Sequence, residues 1–210
     1  MIRIMKRFVW NFEFNLDNPF PWSTLTKGVA DAQRWEARFF WPDDEIIIIK
    51  GLEAYFLDLS RYDVKHREDV YLLMADYDLN LKTRHDHLLY KPVHKRSASA
   101  LAYGKKIKLN EEPPQHRIAE LPDMTVADLL SNLSVVGHKV SVNKEALIYK
   151  ITTTPGIKLE FAKLQVSDKT YFSLSIETYE SSWIEPVCHH LLGKKIPCDY
   201  VTFLKGICPL

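Results

Sequence analysis

The chain has 210 residues, 28 Lys and Arg against 27 Asp and Glu, a formal charge of +1, and 46% hydrophobic residues. That balance describes a globular protein with a real core. It excludes a nucleic-acid binder that relies on a global cationic excess, so any anion site must come from local arrangement.

In chain order, residues 1–33 are rich in aromatics and carry "NPFPW". They read as a strand or extended arm and then a loop, an extension of unknown role ahead of a domain spanning 34–210. "RWEARFFW" reads as a strand ended by Pro42. "PDDEIIIIKGLEAYFLDL" has acidic residues behind a proline, as at a helix start, and β-branched isoleucines that suit a strand equally well. "HREDVYLLM", "LNLKTR" and "LLYKPV" are strands, the last two flanking "HDH". "KIKL" leads into the loop "NEEPPQ". "MTVADLLSNL" is a helix with Thr125 as its cap and Asp128 at N3.

"HKVSV" and "ALIYKITTT" read as two strands separated by "NKE". "IKLEFAKLQV" and "TYFSLSIETYE" form a pair around "SDK". "SSWIEPVCHHLLG" is a helix with Gly193 past its end and Pro186 expected in its first turn. A last helix covers "CDYVTFLKG". The class is α+β, and the short turns between neighbouring strands imply antiparallel pairing.

Period-2 alternation places Asn80, Lys82 and Arg84 on one strand face and Leu79, Leu81 and Thr83 on the other. Arg34, Glu36 and Arg38 likewise share a face opposite Trp35, Ala37 and Phe39. Ser175, Glu177 and Tyr179 stand opposite Leu174 and Ile176. Two architectures satisfy this pattern. One is a sheet packed on one side and solvated on the other. The other is a barrel with its charged faces inward, which must then be wet, self-paired or occupied, because a buried unpaired charge is costly.

The order of motifs resembles the CYTH superfamily, the triphosphate tunnel metalloenzymes. The family's opening Glu-x-Glu-x-Lys strand has its counterpart in Arg34-x-Glu36-x-Arg38. Its Asp-x-Tyr strand is similar to "EDVYLL", its Leu-Arg-x-Arg strand to "LKTR", its Leu-Thr-x-Lys strand to "LLYK", and its late Glu-x-Glu strand to Ser175-Ile176-Glu177. The closing helices are similar to "HLLGKKIPCDYVTFL". The likeness runs from about Arg34 to Leu204, and no single motif in it is specific on its own.

That resemblance implies a closed antiparallel tunnel of about eight strands with helices packed outside. It implies a function as well: binding of a triphosphate- or polyphosphate-containing compound, with metal-dependent hydrolysis. The alternative is a non-catalytic relative that binds a phosphorylated ligand or a protein partner. By position, Arg38, Lys82, Arg84, Lys91 and Lys144 grip phosphates, while Glu36 and Glu177 reach Mg2+ or Mn2+. The departures concentrate among the acids: Arg34 and Ser175 stand where the family has Glu. Ala146 stands at a usual Arg, and Glu160 is the acid available on the following strand.

The remaining signals are weaker. Cys188, Cys198 and Cys208 form no Cys-x-x-Cys pair, which suits reduced thiols in a cytoplasmic protein. No apolar run follows "MIRIMKR" as in a signal peptide, and "IIII" is too short to span a bilayer. "HDH" and the Cys188-His189-His190 run lack the second ligand pair of a zinc site. Glycine-rich phosphate and dinucleotide fingerprints are missing. No nucleic-acid or membrane partner is expected.

Overall fold

The computed structural model describes residues 4–25 and 28–208. Fifteen strands and three α-helices follow in order: β1 (Met5–Arg7), β2 (Phe12–Asn15), β3 (Arg34–Pro42), β4 (Ile47–Lys50), β5 (Asp63–Leu73), β6 (Leu81–Arg84), β7 (His87–Tyr90), β8 (Val93–Arg96), β9 (Leu101–Tyr103), β10 (Ile107–Lys108), β11 (Arg117–Ile118), β12 (Leu121–Thr125), α1 (Val126–Val136), β13 (His138–Ile151), β14 (Ile157–Val166), β15 (Lys169–Thr178), α2 (Ser181–Leu192) and α3 (Tyr200–Ile207). No helix among the described residues is long and apolar enough to cross a membrane.

Ten strands form one antiparallel sheet in the order β10-β7-β6-β5-β13-β14-β15-β3-β9-β8. The sheet is an open, curled half-barrel. The expected closed ladder is therefore corrected: β10 and β8 are its two edges and do not pair with each other. Those edges nonetheless belong to one bent hairpin, since β7 runs into β8 through Lys91 and Pro92, and β9 into β10 through residues 104–106. At the bend the Gly104 N–H donates to the Pro92 carbonyl at 3.0 Å. Pro92 has no N–H to return, which interrupts the ladder there. A side chain on Gly104 would run into His94.

Alternation along the long strands separates two environments. Trp35, Ala37, Phe39, Leu159, Phe161, Phe172, Leu174 and Ile176 form the outer apolar face and are buried. Two elements cover them: α2, through Trp183, Ile184, Val187 and Leu191, and the residues before β3, through Phe12, Phe14, Phe20 and Trp22. The latter belong partly to a small sheet in which β2 pairs β1 antiparallel and β4 parallel. The ring of Phe161 meets those of Phe8, Phe12 and Phe14 at centroid distances of 5.4, 5.2 and 5.7 Å. Full burial of each such ring is worth about 1.5–3 kcal/mol.

The inner face is polar toward one end and apolar toward the other. At the apolar end α3 packs Tyr200, Val201 and Leu204 against Val140, Val142, Leu164 and Val166. Asp199 caps α3 by accepting from the Val201 and Thr202 amides, and the Cys198 N–H ties the preceding segment to the Arg38 carbonyl at 2.7 Å. A third cluster seats α1 against Leu79, Leu81 and Tyr90. The expected capping box is present, Thr125 and Asp128 bonding reciprocally.

Two local expectations change, and one that stood between helix and strand is decided. "NKE" does not split a strand: β13 runs unbroken from His138 to Ile151, because Asn143, Lys144 and Glu145 pair with β5 on one side and β14 on the other, and Lys144 finds Glu160 on β14. The isoleucine run is strand β4, with Ile47 and Ile49 buried and Ile48 exposed. Pro186 lies in the second turn of α2, which begins at Ser181.

Candidate functional site

The polar end of the inner face surrounds a cavity of about 590 Å3. Nine cationic side chains line it: Arg34, Arg38, Arg67, Lys82, Lys91, Lys105, Lys106, Lys144 and Lys158. Among the described residues three carboxylates line it with them, Glu36, Glu160 and Glu177, so this lining carries a formal excess of six positive charges. In a chain whose net charge is +1, this concentration is a product of folding.

Register explains the gathering. Glu177 lies opposite Glu36 on β3 and opposite Lys158 on β14. Ser175 lies opposite Arg38 on one side and Glu160 on the other. Successive inward positions of adjacent strands thus fall side by side, within reach of long side chains.

The buried charges are paired. Arg38 Nε donates to Glu36 Oε1 at 2.9 Å and its Nη2 to Glu160 Oε1 at 3.2 Å. Lys91 Nζ donates to Glu36 Oε2 at 2.8 Å, and Lys144 Nζ to Glu160 Oε1 at 2.8 Å. Glu177 is held by Lys158 at 2.5 Å and Arg34 at 2.9 Å. Burial pushes the Glu36 carboxyl up, but the charges of Lys91 and Arg38 outweigh it and hold the group below the usual carboxylate range. Glu160 is held well below that range in the same way by Lys144, Arg38 and Lys158.

A second group sits on β5 and β6. Asp69 accepts from Lys82 Nζ at 2.9 Å and from Arg84 through Nε at 2.5 Å and Nη2 at 2.7 Å. The bidentate Arg84 contact is the strong form of this pairing. Burial dominates at Lys82: the ammonium is pushed down to about 7 despite Asp69, with Arg84 and Lys144 adding repulsion.

Of the residues predicted from sequence, Arg38, Lys82, Lys91, Lys144, Glu36 and Glu177 all line the cavity. Arg84 is not among the lining residues and is bound to Asp69. Arg67, Lys105, Lys106 and Lys158 were missed. Arg67 and Lys158 share their strand faces with Asp69 and Glu160, so alternation could have found them. Lys105 and Lys106 lie in the bend between β9 and β10, where no periodicity applies. Among the described residues, Arg67, Lys105 and Lys106 have no carboxylate within ion-pair distance.

Tyrosines floor the site. Arg38 and Lys144 stand over the Tyr200 ring at 4.8 and 5.8 Å, Lys82 over Tyr71 at 5.0 Å, and Lys91 over Tyr103 at 3.5 Å, distances at which a ring face attracts a cation. The buried Tyr200 hydroxyl and Ser175 Oγ have no hydrogen-bond partner among the described residues.

The donor set does not fit a divalent-ion centre. Every oxygen of Glu36, Glu160 and Glu177 already faces a lysine or arginine. Among the described residues no three His, Cys, Asp or Glu side chains converge as a metal cluster would.

No family model and no curated protein matches the chain. Among solved structures it is similar to a candidate adenylate cyclase from Bacillus halodurans, at 10% identity and a TM-score of 0.34, over 67% of this chain and 80% of that one. A likeness this loose bears neither on the site nor on its chemistry.

Proposed function

We propose that the protein binds a compact polyanion, a triphosphate- or polyphosphate-containing compound, in the cavity of the half-barrel. The observation that carries this reading is the uncompensated charge of the lining, above all Arg67, Lys105 and Lys106 at positions with no carboxylate partner among the described residues. A cleft lined by one sign of charge attracts the opposite ion and raises its local concentration. Arg38, Lys82, Lys91 and Lys144 supply donors deeper in the site, and the unpartnered Tyr200 hydroxyl supplies another. Arginine suits phosphate because its planar fork donates through two nitrogens. The motif order that resembles the CYTH superfamily supports the same ligand class. Its expected Mg2+ or Mn2+ chemistry is not adopted, because the carboxylates of this chain are committed to cations.

The test is thermal melting with tripolyphosphate, since a ligand that binds only the folded state raises its midpoint. Wild-type protein is expected to gain stability in a salt-sensitive manner. The variant Arg67→Ala, Lys105→Ala, Lys106→Ala removes unpaired charges, so it should keep the wild-type midpoint without ligand and lose most of the ligand-dependent gain. An unchanged gain in that variant refutes the reading. Phosphate release, assayed with and without Mg2+ or Mn2+, separates a hydrolase from a binding protein.

A further inference from the structure

We infer that Glu36, Glu160 and Glu177 are resident counter-ions of the cationic cluster, and that by this means the cavity selects its anion by charge and takes it up without a divalent ion. The inference rests on the polyanion reading above and deepens it: the three carboxylates decide which anions enter.

The geometry is that of an internal salt. Glu36 places one oxygen against Arg38 and the other against Lys91. Glu160 shares one oxygen between Arg38 and Lys144 and turns the other toward Lys158, 3.7 Å away. Glu177 divides its oxygens between Lys158 and Arg34. Five of the cations, Arg34, Arg38, Lys91, Lys144 and Lys158, therefore hold the three carboxylates, of which Glu160 is 2% exposed and Glu177 5%. A divalent cation approaching these oxygens meets nine positive groups around the same space. It finds no carboxylate free of them.

For an anion the same arrangement is a threshold. The carboxylates are tethered beside their cations, so they compete as intramolecular ligands at high effective concentration. Orthophosphate or sulfate replaces one or two such contacts and must leave the remainder strained or unpaired. A tripolyphosphate group spans several cations at once, including Arg67, Lys105 and Lys106, which hold no carboxylate among the described residues. It gains contacts that the carboxylates do not already satisfy. Charge-assisted bonds from lysine and arginine to phosphate then replace like bonds to carboxylate, and the balance is set by those additional cations. The buried Tyr200 hydroxyl, unpartnered among the described residues, belongs to the cavity lining and suits an incoming oxygen.

The deciding experiment is calorimetric titration of the full chain in EDTA with orthophosphate, pyrophosphate and tripolyphosphate, repeated with Mg2+ in place of EDTA. Tripolyphosphate is expected to bind in EDTA, with orthophosphate at least about a hundredfold weaker, as charge selection by several simultaneous contacts requires. Glu177→Gln and Glu36→Gln should each tighten orthophosphate by about tenfold while tripolyphosphate still binds, because a neutral amide competes poorly for lysine. Tripolyphosphate that binds only once Mg2+ is added overturns the inference and leaves the polyanion reading standing. Loss of tripolyphosphate binding in a Gln variant that melts like wild type also overturns it. No binding of tripolyphosphate under either condition overturns both. The wild-type arm decides the question even where a Gln variant fails to fold.

Discussion

Glu36 and Glu177 face each other directly across the β3–β15 ladder, although like charges in that relationship repel. Cations on both sides resolve the conflict: Arg38 and Lys91 hold Glu36, while Lys158 and Arg34 hold Glu177. The carboxylates and cations of the cavity therefore stabilise the fold only as a set. Arg38 serves two buried partners at once, so Arg38→Met should lower the unfolding free energy by about 3–5 kcal/mol, the usual cost of stranding a buried charge. Arg34 is half exposed, and Arg34→Met should cost about 1 kcal/mol or less. Urea midpoints of the two variants measure the difference.

Asp69 makes a second, separable test. Lys82→Ala with Arg84→Ala leaves this buried carboxylate without the two cations that hold it below its usual range against the effect of burial. The double variant should lose about 3–5 kcal/mol. Adding Asp69→Asn should restore most of that stability but none of the anion binding lost with Lys82. Melting curves with and without tripolyphosphate report the two effects independently.

The low-lying Lys82 ammonium predicts a pH signature. Its folded value of about 7 lies below the ordinary 10.5, so the unfolded state binds more protons between those limits. This group alone therefore makes stability rise with pH across that window. Anion binding runs the other way: it favours charged Lys82, so tripolyphosphate affinity should fall as pH rises through about 7 to 8. Binding in that range should take up protons. Titrations in buffers of different ionisation enthalpy will show that uptake as a buffer-dependent heat, and its reduction in Lys82→Met measures the share of this group beside Lys106, which burial pushes down to about 8 in the same cavity.

The aromatic packing beneath residues 4–25 yields a prediction about the arm. Phe161→Ala opens a void where Phe8, Phe12 and Phe14 meet the sheet and should cost about 3–5 kcal/mol. Deleting residues 1–33 uncovers the part of the outer face that α2 does not shield, Phe161 above all, so the shortened chain should bind a hydrophobic dye and melt without a cooperative transition. A shortened chain that melts like the full one would show that the arm contributes nothing to this core.

Much of this was legible in the residues. Alternation placed Arg34, Glu36 and Arg38 on one face of β3, and Asn80, Lys82 and Arg84 on one face of the segment that forms β6, because a strand's side chains point to opposite sides whatever its partners are. The capping box at Thr125 and the end of α2 at Gly193 were local geometry and read correctly. Lys105 and Lys106 carried no such signal, since a bend has no period. The unbroken β13 was misread because the ladder that carries "NKE" is made with β5 and β14, and β5 is distant in the chain.

The sequence by itself determined which face of each strand is charged, the pairing of neighbouring hairpins and the helix ends, all set by interactions among residues close in the chain. It left open whether the charged faces meet water or one another. Tertiary structure decided that. The curl of the sheet turns the faces inward, α3 fills the apolar end, and the bend at Lys91–Pro92 leaves the ladder open rather than closed. Which carboxylate neutralises which cation follows from register between strands distant in sequence, and Coulomb attraction depends on that separation in space. For that reason the excess charge of the cavity is not visible in a chain total of +1, although the ligand class was already expected from the order of the motifs.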